Sequence, residues 1–168
     1  YKLVTGVQTC VFPISVTPLT KPSSPMSVGA GYGNTTAQVT WLPSFSDGGS
    51  AVVSYTATSS PEGKTCTATA PSVSCEITGL TNGTAYIFTV TARSGAYATV
   101  GDSDPSSTSA AVTPRTNPGA PTTVLVTAGN AHAVVTWSAP VSTGGATISE
   151  YQVRAYDSAD VSRGVCTV

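Results

Sequence analysis

Charge is scarce in this chain. Of 168 residues only 9% are Asp, Glu, Lys or Arg, seven basic against eight acidic, for a formal net charge of −1. Phosphate backbones and anionic lipid are attracted by clustered Lys and Arg. The basic residues here are scattered, with no stripe of interleaved aromatics, so no nucleic-acid partner is expected. No apolar run reaches the roughly 18 residues that a membrane-spanning helix needs, so no membrane insertion is expected either. Histidine occurs once, as His132, and the four cysteines at 10, 66, 75 and 166 never fall in the Cys-x-x-Cys spacing of zinc sites. The first residues lack the long apolar core and small-residue cleavage site of a signal peptide.

What is present points to strands. Hydrophobic residues make up 40% of the chain, mostly Ala and Val, among abundant Thr and Ser. Val and Thr suit a pleated, half-buried surface, whereas Ala is no strand former. Twelve prolines and 16 glycines punctuate the chain at short intervals, as they do between short strands. The expected class is all-β.

An internal repeat organises the chain. TTAQVTWL at 35–42 recurs as AHAVVTWS at 131–138, and Trp41 and Trp137 stand 96 residues apart (137 − 41). The same offset joins Pro25 to Pro121, Gly48-Gly49 to Gly144-Gly145, Tyr55 to Tyr151, and Val16-Thr17-Pro18 to Val112-Thr113-Pro114. A repeat of this kind marks separate folding units. One unit is expected over residues 21–114 and a second, truncated one over 115–168, with 15–20 the end of a preceding unit. The segments VTPLTKPSSP and VTPRTNPGAP would be Pro-rich junctions, semi-rigid because proline fixes φ.

Within the first unit, SPMSVGAGYG reads as an edge strand, with Pro25 where no ladder donor is required. TTAQVTWLP alternates, sending Ala37, Val39 and Trp41 to one face and Thr36, Gln38 and Thr40 to the other. SFSDGGSA is a glycine-rich turn, followed by strands in VVSYTATS, KTCTATA and SVSCEITGL. TAYIFTVTA at 84–92 is the longest alternating run, with Tyr86, Phe88 and Val90 on one face. A last strand is expected near STSAAVTP. Seven short strands separated by turns suggest a Greek-key sandwich.

Trp41, Tyr55, Leu80 and Tyr86, the last two within GLTNGTAYIFTVTA, carry a resemblance to the fibronectin type III framework. It spans the first unit and the front half of the second. It is closest to the Ala/Thr/Val-rich versions of bacterial secreted and surface proteins, which often carry DGGS after the second strand. The resemblance implies a seven-stranded immunoglobulin-like sandwich, one complete unit plus a truncated second. Trp41 would lie across the core, where burying about 200 Å² of indole gives on the order of 5 kcal/mol of gross transfer energy. Tyr86 resembles the tyrosine-corner residue, its hydroxyl bound to nearby backbone. Val39, Tyr55, Leu80, Phe88 and Val90 would complete the core, all in structural roles.

The resemblance also bears on the cysteines. Bacterial domains of this type often carry a pair where Cys66 and Cys75 stand, flanking a loop that crosses between sheets. A disulfide there would contribute roughly 2–3 kcal/mol by closing a short loop, and would imply an oxidising, extracellular location, secreted or on the cell surface. Two reduced structural thiols are the alternative. Cys166 aligns with Cys66 once four extra residues are allowed in YDSADVSRGVC, and its partner would lie beyond Val168.

Catalytic chemistry finds few candidates. His132 falls in a turn, with no serine–histidine–carboxylate set around it, and a sandwich offers no deep cleft. No enzyme activity and no cofactor are expected. In the fibronectin type III fold the loops bearing Asp47, Asp102 and Asp104 share a pole, where three carboxylates could form a weak Ca²⁺ site. The plainer alternative is turn chemistry, with Asp47 before Gly48-Gly49 and Asp104 before Pro105. The best-known members of the family present an integrin-binding Arg-Gly-Asp at that pole; RSGAYATVGDSDPS has none. Tyr97 is the candidate ligand contact there, unless it folds back onto the sandwich. Asn34-Thr-Thr36 and Asn82-Gly-Thr84 are sequons, and in a bacterial chain they would be turns.

The expected function is therefore a spacer or stalk of tandem sandwiches whose partners are neighbouring domains of the same chain. A binding module for a carbohydrate or a surface protein is the first alternative, an accessory segment of a secreted polysaccharide hydrolase the second. Residues 1–14 align with nothing at the 96-residue offset, and VTGVQTC resembles the translation of a sequencing-library adapter. They are expected to be a non-native leader, with a divergent strand as the alternative; on that expectation Cys10 leaves the cysteine count.

Overall fold

The computed structural model describes residues 18–168; the expectations for the leader, Cys10 and the segment through Thr17 lie outside them. Two antiparallel sheets form the first sandwich. One contains β1 (Met26–Tyr32), β2 (Thr36–Leu42) and β5 (Ser74–Thr78), in the order β1-β2-β5. The other contains β3 (Val52–Ser60), β4 (Thr65–Thr69) and β6 (Ile87–Ser94), in the order β4-β3-β6. Among the described residues the only regular helical element is α1, a single turn at Tyr97–Val100. The all-β sandwich is thus the architecture observed.

Alternation along the strands sets what is buried. In β2, Ala37, Val39 and Trp41 point inward while Gln38, Thr40 and Leu42 face solvent. In β6, Phe88, Val90 and Ala92 are completely buried. Tyr55, Ala57, Ala68, Ile77, Leu80 and Tyr86 join them in one core. The Trp41 ring lies 5.6 Å from that of Tyr55 in a tilted pair, close to the geometry aromatic rings prefer. Tyr86 Oη accepts the Thr81 N–H at 3.0 Å, which ties the crossover from β5 to β6. Cys66 of β4 and Cys75 of β5 form a disulfide that staples the two sheets together.

The seventh position of the sandwich is filled in an unexpected way. Residues 102–112 run beside β6, but not with the one-to-one register of a regular strand. Ser103, Ser106, Ser109 and Val112 donate their N–H groups to the carbonyls of Ala92, Val90, Phe88 and Tyr86 at 2.8–2.9 Å. The chain takes three residues for each two of β6. The first three of these residues are buried serines, and the residues between them are exposed. Each serine hydroxyl accepts the N–H of its β6 partner at 2.8–3.1 Å and donates to the carbonyl of the following residue. The hydroxyl supplies the acceptor that an extra residue per step removes from the ladder.

A second set of strands follows: β7 (Thr122–Ala128) pairs with β8 (Ala133–Ser138), and β9 (Gln152–Tyr156) with β10 (Ser162–Thr167). Its backbone repeats the first even in its irregularities. Ser27 and Thr123 have φ of 51° and 50° at a bulge in the leading strand, and Thr35 and Ala131 both have φ of 57° in the following turn. Trp137 and Tyr151 pair at 5.4 Å, as Trp41 and Tyr55 do. Both are only half-buried, and an apolar trough of about 370 Å³ lined by Val135, Trp137, Val153 and Val165 lies open between the two hairpins.

Candidate functional site

The loops 43–51 and 95–101 meet the leading segment 18–25 at one pole of the first sandwich, where the sequence places its ligand candidates. β6 ends there, presenting Arg93. Its Nε and Nη2 donate to the two carboxylate oxygens of Asp102 at 2.9 and 3.1 Å, a bidentate pair. The same guanidinium lies 4.1 Å from the centre of the Tyr97 ring. The hydrogen bond to Asp102, and then its charge, raise the Arg93 pKa above the ordinary arginine value. Tyr97 therefore has one face covered by a cation and is 46% exposed.

Each carboxylate at this pole has a separate partner. Asp47 Oδ1 accepts the Gly49 N–H at 2.9 Å, a turn contact. Asp104 pairs with Lys21 Nζ at 3.6 Å, while its carbonyl accepts the Ser24 hydroxyl at 2.8 Å. Asp102 is taken by Arg93. Among the described residues, no three His, Cys, Asp or Glu side chains stand close enough to hold a metal ion. Sequence reasoning did not single out Arg93. The available signal is its position nine residues before Asp102 at the other side of one loop.

His132 sits in the β7–β8 turn with Nδ1 2.9 Å from the Asn130 carbonyl oxygen, away from this pole. Asn34 and Asn82, from the two sequons, hydrogen-bond to each other at the opposite pole, and Asn82 Oδ1 also accepts the Thr35 N–H. Cys166 is an exposed free thiol. The surface offers an aromatic face, a neutralised ion pair and loop backbone.

A fibronectin type III domain model matches residues 21–109, more than half of the chain. No curated protein matches it. Similar solved structures include domains A168–A170 from titin, 24% identical, with a TM-score of 0.47 over 55% of this chain and 32% of that one. The twitchin kinase region from C. elegans is 26% identical, with a TM-score of 0.46 over 55% of this chain and 16% of that one. A structure described as a myokine is 24% identical, with a TM-score of 0.44 over 56% of this chain and all of that one. The chain thus spans a third or less of the titin and twitchin chains it resembles. With a two-sheet sandwich, a tyrosine corner at Tyr86 and a family match over residues 21–109, this chain belongs to the fibronectin type III family.

Proposed function

We propose that this chain is a non-catalytic spacer of tandem fibronectin type III sandwiches, part of a bacterial secreted or cell-surface protein. The observation that carries this reading is the head-to-tail arrangement of its two strand sets. The second set starts at Thr116, beside the 81–84 turn and so at the pole of the first opposite the Asp47 and Asp102 loops, an order in which the units of an array would add length. The ion pairs Arg93–Asp102 and Lys21–Asp104 fit the same reading, because they use the loop pole's charges internally. The Cys66–Cys75 disulfide favours an oxidising compartment outside the cytoplasm. The Ala/Thr/Val-rich composition and the DGGS turn favour a bacterial surface protein.

One observation favours a second reading, a binding module for a carbohydrate or surface protein: Tyr97 presents about half of its surface at the loop pole. A glycan array and a pull-down with bacterial and host surface proteins distinguish the two. The spacer reading expects no saturable ligand. A ligand whose binding is lost in Tyr97→Ala would replace it with the binding module.

A further inference from the structure

We propose that the turn at residues 81–84 and the turn at residues 143–146 form a built joint that fixes the angle between the first sandwich and the strand set that follows. The proposal rests on the spacer reading and says how such a spacer would keep its direction.

The junction leaves no free stretch of chain. Gly83 N donates to the Pro114 carbonyl at 2.9 Å, and Arg115 N donates to Gly33 O at 3.0 Å, both within the first sandwich. The Arg115 guanidinium also lies 4.1 Å from the centre of the Tyr32 ring. The next residue changes sides: Thr116 N donates to Gly144 O at 2.8 Å, and Gly119 N to Ser142 O at 2.9 Å. A flexible linker would leave these groups to water. Here Pro114 and Arg115 belong to one body and Thr116 to the other, so bending must break a hydrogen bond or turn about a single peptide.

Direct contact restricts that remaining freedom. Gly145 lies against the 81–84 turn so closely that a Cβ there would stand 2.6 Å from Gly83 N and 3.0 Å from Asn82 Cβ. Real Cβ atoms do not come that near a backbone nitrogen, so only glycine permits this approach. The receiving turn is already held in place. Tyr86 Oη accepts the Thr81 N–H, Asn82 Oδ1 accepts the Thr35 N–H, and Asn82 Nδ2 donates to Asn34 Oδ1. An open groove of about 640 Å³, lined by Asn82–Thr84 and Val141–Thr147, flanks the contact. The joint therefore depends on close backbone approach at a few residues, not on a wide apolar seam.

The donor half of the joint recurs in the first sandwich. Gly48 packs on the Thr20 carbonyl as Gly144 packs on that of Thr116. Ser46 Oγ accepts the Gly48 N–H at 3.2 Å, as Ser142 Oγ accepts that of Gly144. Phe45 and Val141, at equivalent positions, are 88% and 98% exposed, and Val141 rims the groove beside the neighbouring turn. The seating of this turn on its own leading segment is therefore common to both units.

The test is made on the 168-residue chain by residual dipolar couplings and amide exchange. The expected result is one alignment tensor for β1–β6 and β7–β10, with a protected Gly83 amide. Gly145→Ala should separate the tensors and lower Gly83 protection roughly tenfold or more, as for a contact that opens locally. Because Gly145 has φ of +96°, alanine also strains its own turn. Gly49→Ala, at φ of +89° in the equivalent turn, carries the same strain away from the joint and should leave one tensor. Inserting Gly-Ser between Arg115 and Thr116 alters neither turn and should also separate the tensors. Independent tensors in the unaltered chain, random-coil shifts across β7–β10, or one tensor in both Gly145→Ala and the insertion variant would each overturn the proposal. Two independent tensors without any ligand would refute the joint and leave the spacer reading standing. A loop-pole ligand with a single tensor would do the reverse.

Discussion

Replacing Ser106 by alanine tests the three-to-two pairing of residues 103–112 with β6. The Ser106 hydroxyl accepts the Val90 N–H at 2.9 Å and donates to the Ser107 carbonyl at 2.8 Å. Alanine removes one oxygen and leaves the Val90 N–H, on a fully buried residue of the central face, without an acceptor. A buried donor left unpaired costs about 1–3 kcal/mol. The Ser107 carbonyl is less affected, since Ser107 is exposed and water can replace its partner. At about 1.4 kcal/mol per decade, the slowest-exchanging β6 amides should lose roughly 5- to 150-fold of protection. For a domain of this size, heat unfolding of the first sandwich should fall by about 4–8 °C per kcal/mol. Ser107→Ala is the matched control, expected within about 0.5 kcal/mol of the unaltered protein. An ordinary strand with two-residue alternation would put Ser107 and Ser109 on one face and Ser106 on the other. Equal losses in the two variants, or no loss in Ser106→Ala, would therefore refute the three-residue step and the hydroxyl's role in it.

Tyr86→Phe keeps the buried ring but removes the acceptor of the Thr81 N–H, and should cost about 1–2 kcal/mol, read as faster exchange at Thr81 and earlier unfolding of the sandwich. Replacing Cys66 and Cys75 together by alanine should destabilise the sandwich by about 2–3 kcal/mol in denaturant titration, the loop-closure value for so short a loop; an unchanged midpoint would show that the staple constrains nothing. Backbone N–H donation from Val161, then the Arg163 guanidinium, hold the Asp157 carboxyl below the usual aspartate range. A lowered folded-state pKa contributes stability that is complete above the unfolded value, near about 3.9, and is lost as pH falls through the folded value. Carboxyl NMR should thus find the Asp157 midpoint below that of an ordinary aspartate, with the Ala159 and Val161 amides losing protection as pH falls through that same lowered midpoint.

Strand alternation was legible because it is local. The two-residue period in TAQVTWL fixes which side chains can share a face, and the bulk of Trp41 and Val39 fixes which face turns inward. The glycine turns and the 96-residue repeat are likewise written in single residues and their spacing. Ile77, fully buried, was readable in the same way from the alternation of Cys75 and Ile77 but carried no aromatic to draw notice. The serine ladder was not readable. Ser103, Ser106 and Ser109 show no hydropathy contrast with Ser107 and Thr108, and their acceptor role exists only because β6 lies beside them. The loop-pole charges follow the same rule: Asp104 meets Lys21 across most of the sandwich's sequence, and that pairing is set by the fold's closure. The Val-Thr-Pro junctions announce a boundary, yet proline alone would have left the angle open. What closes it is Gly145 against Gly83, a contact between distant turns that exists only once both turns are folded and brought together.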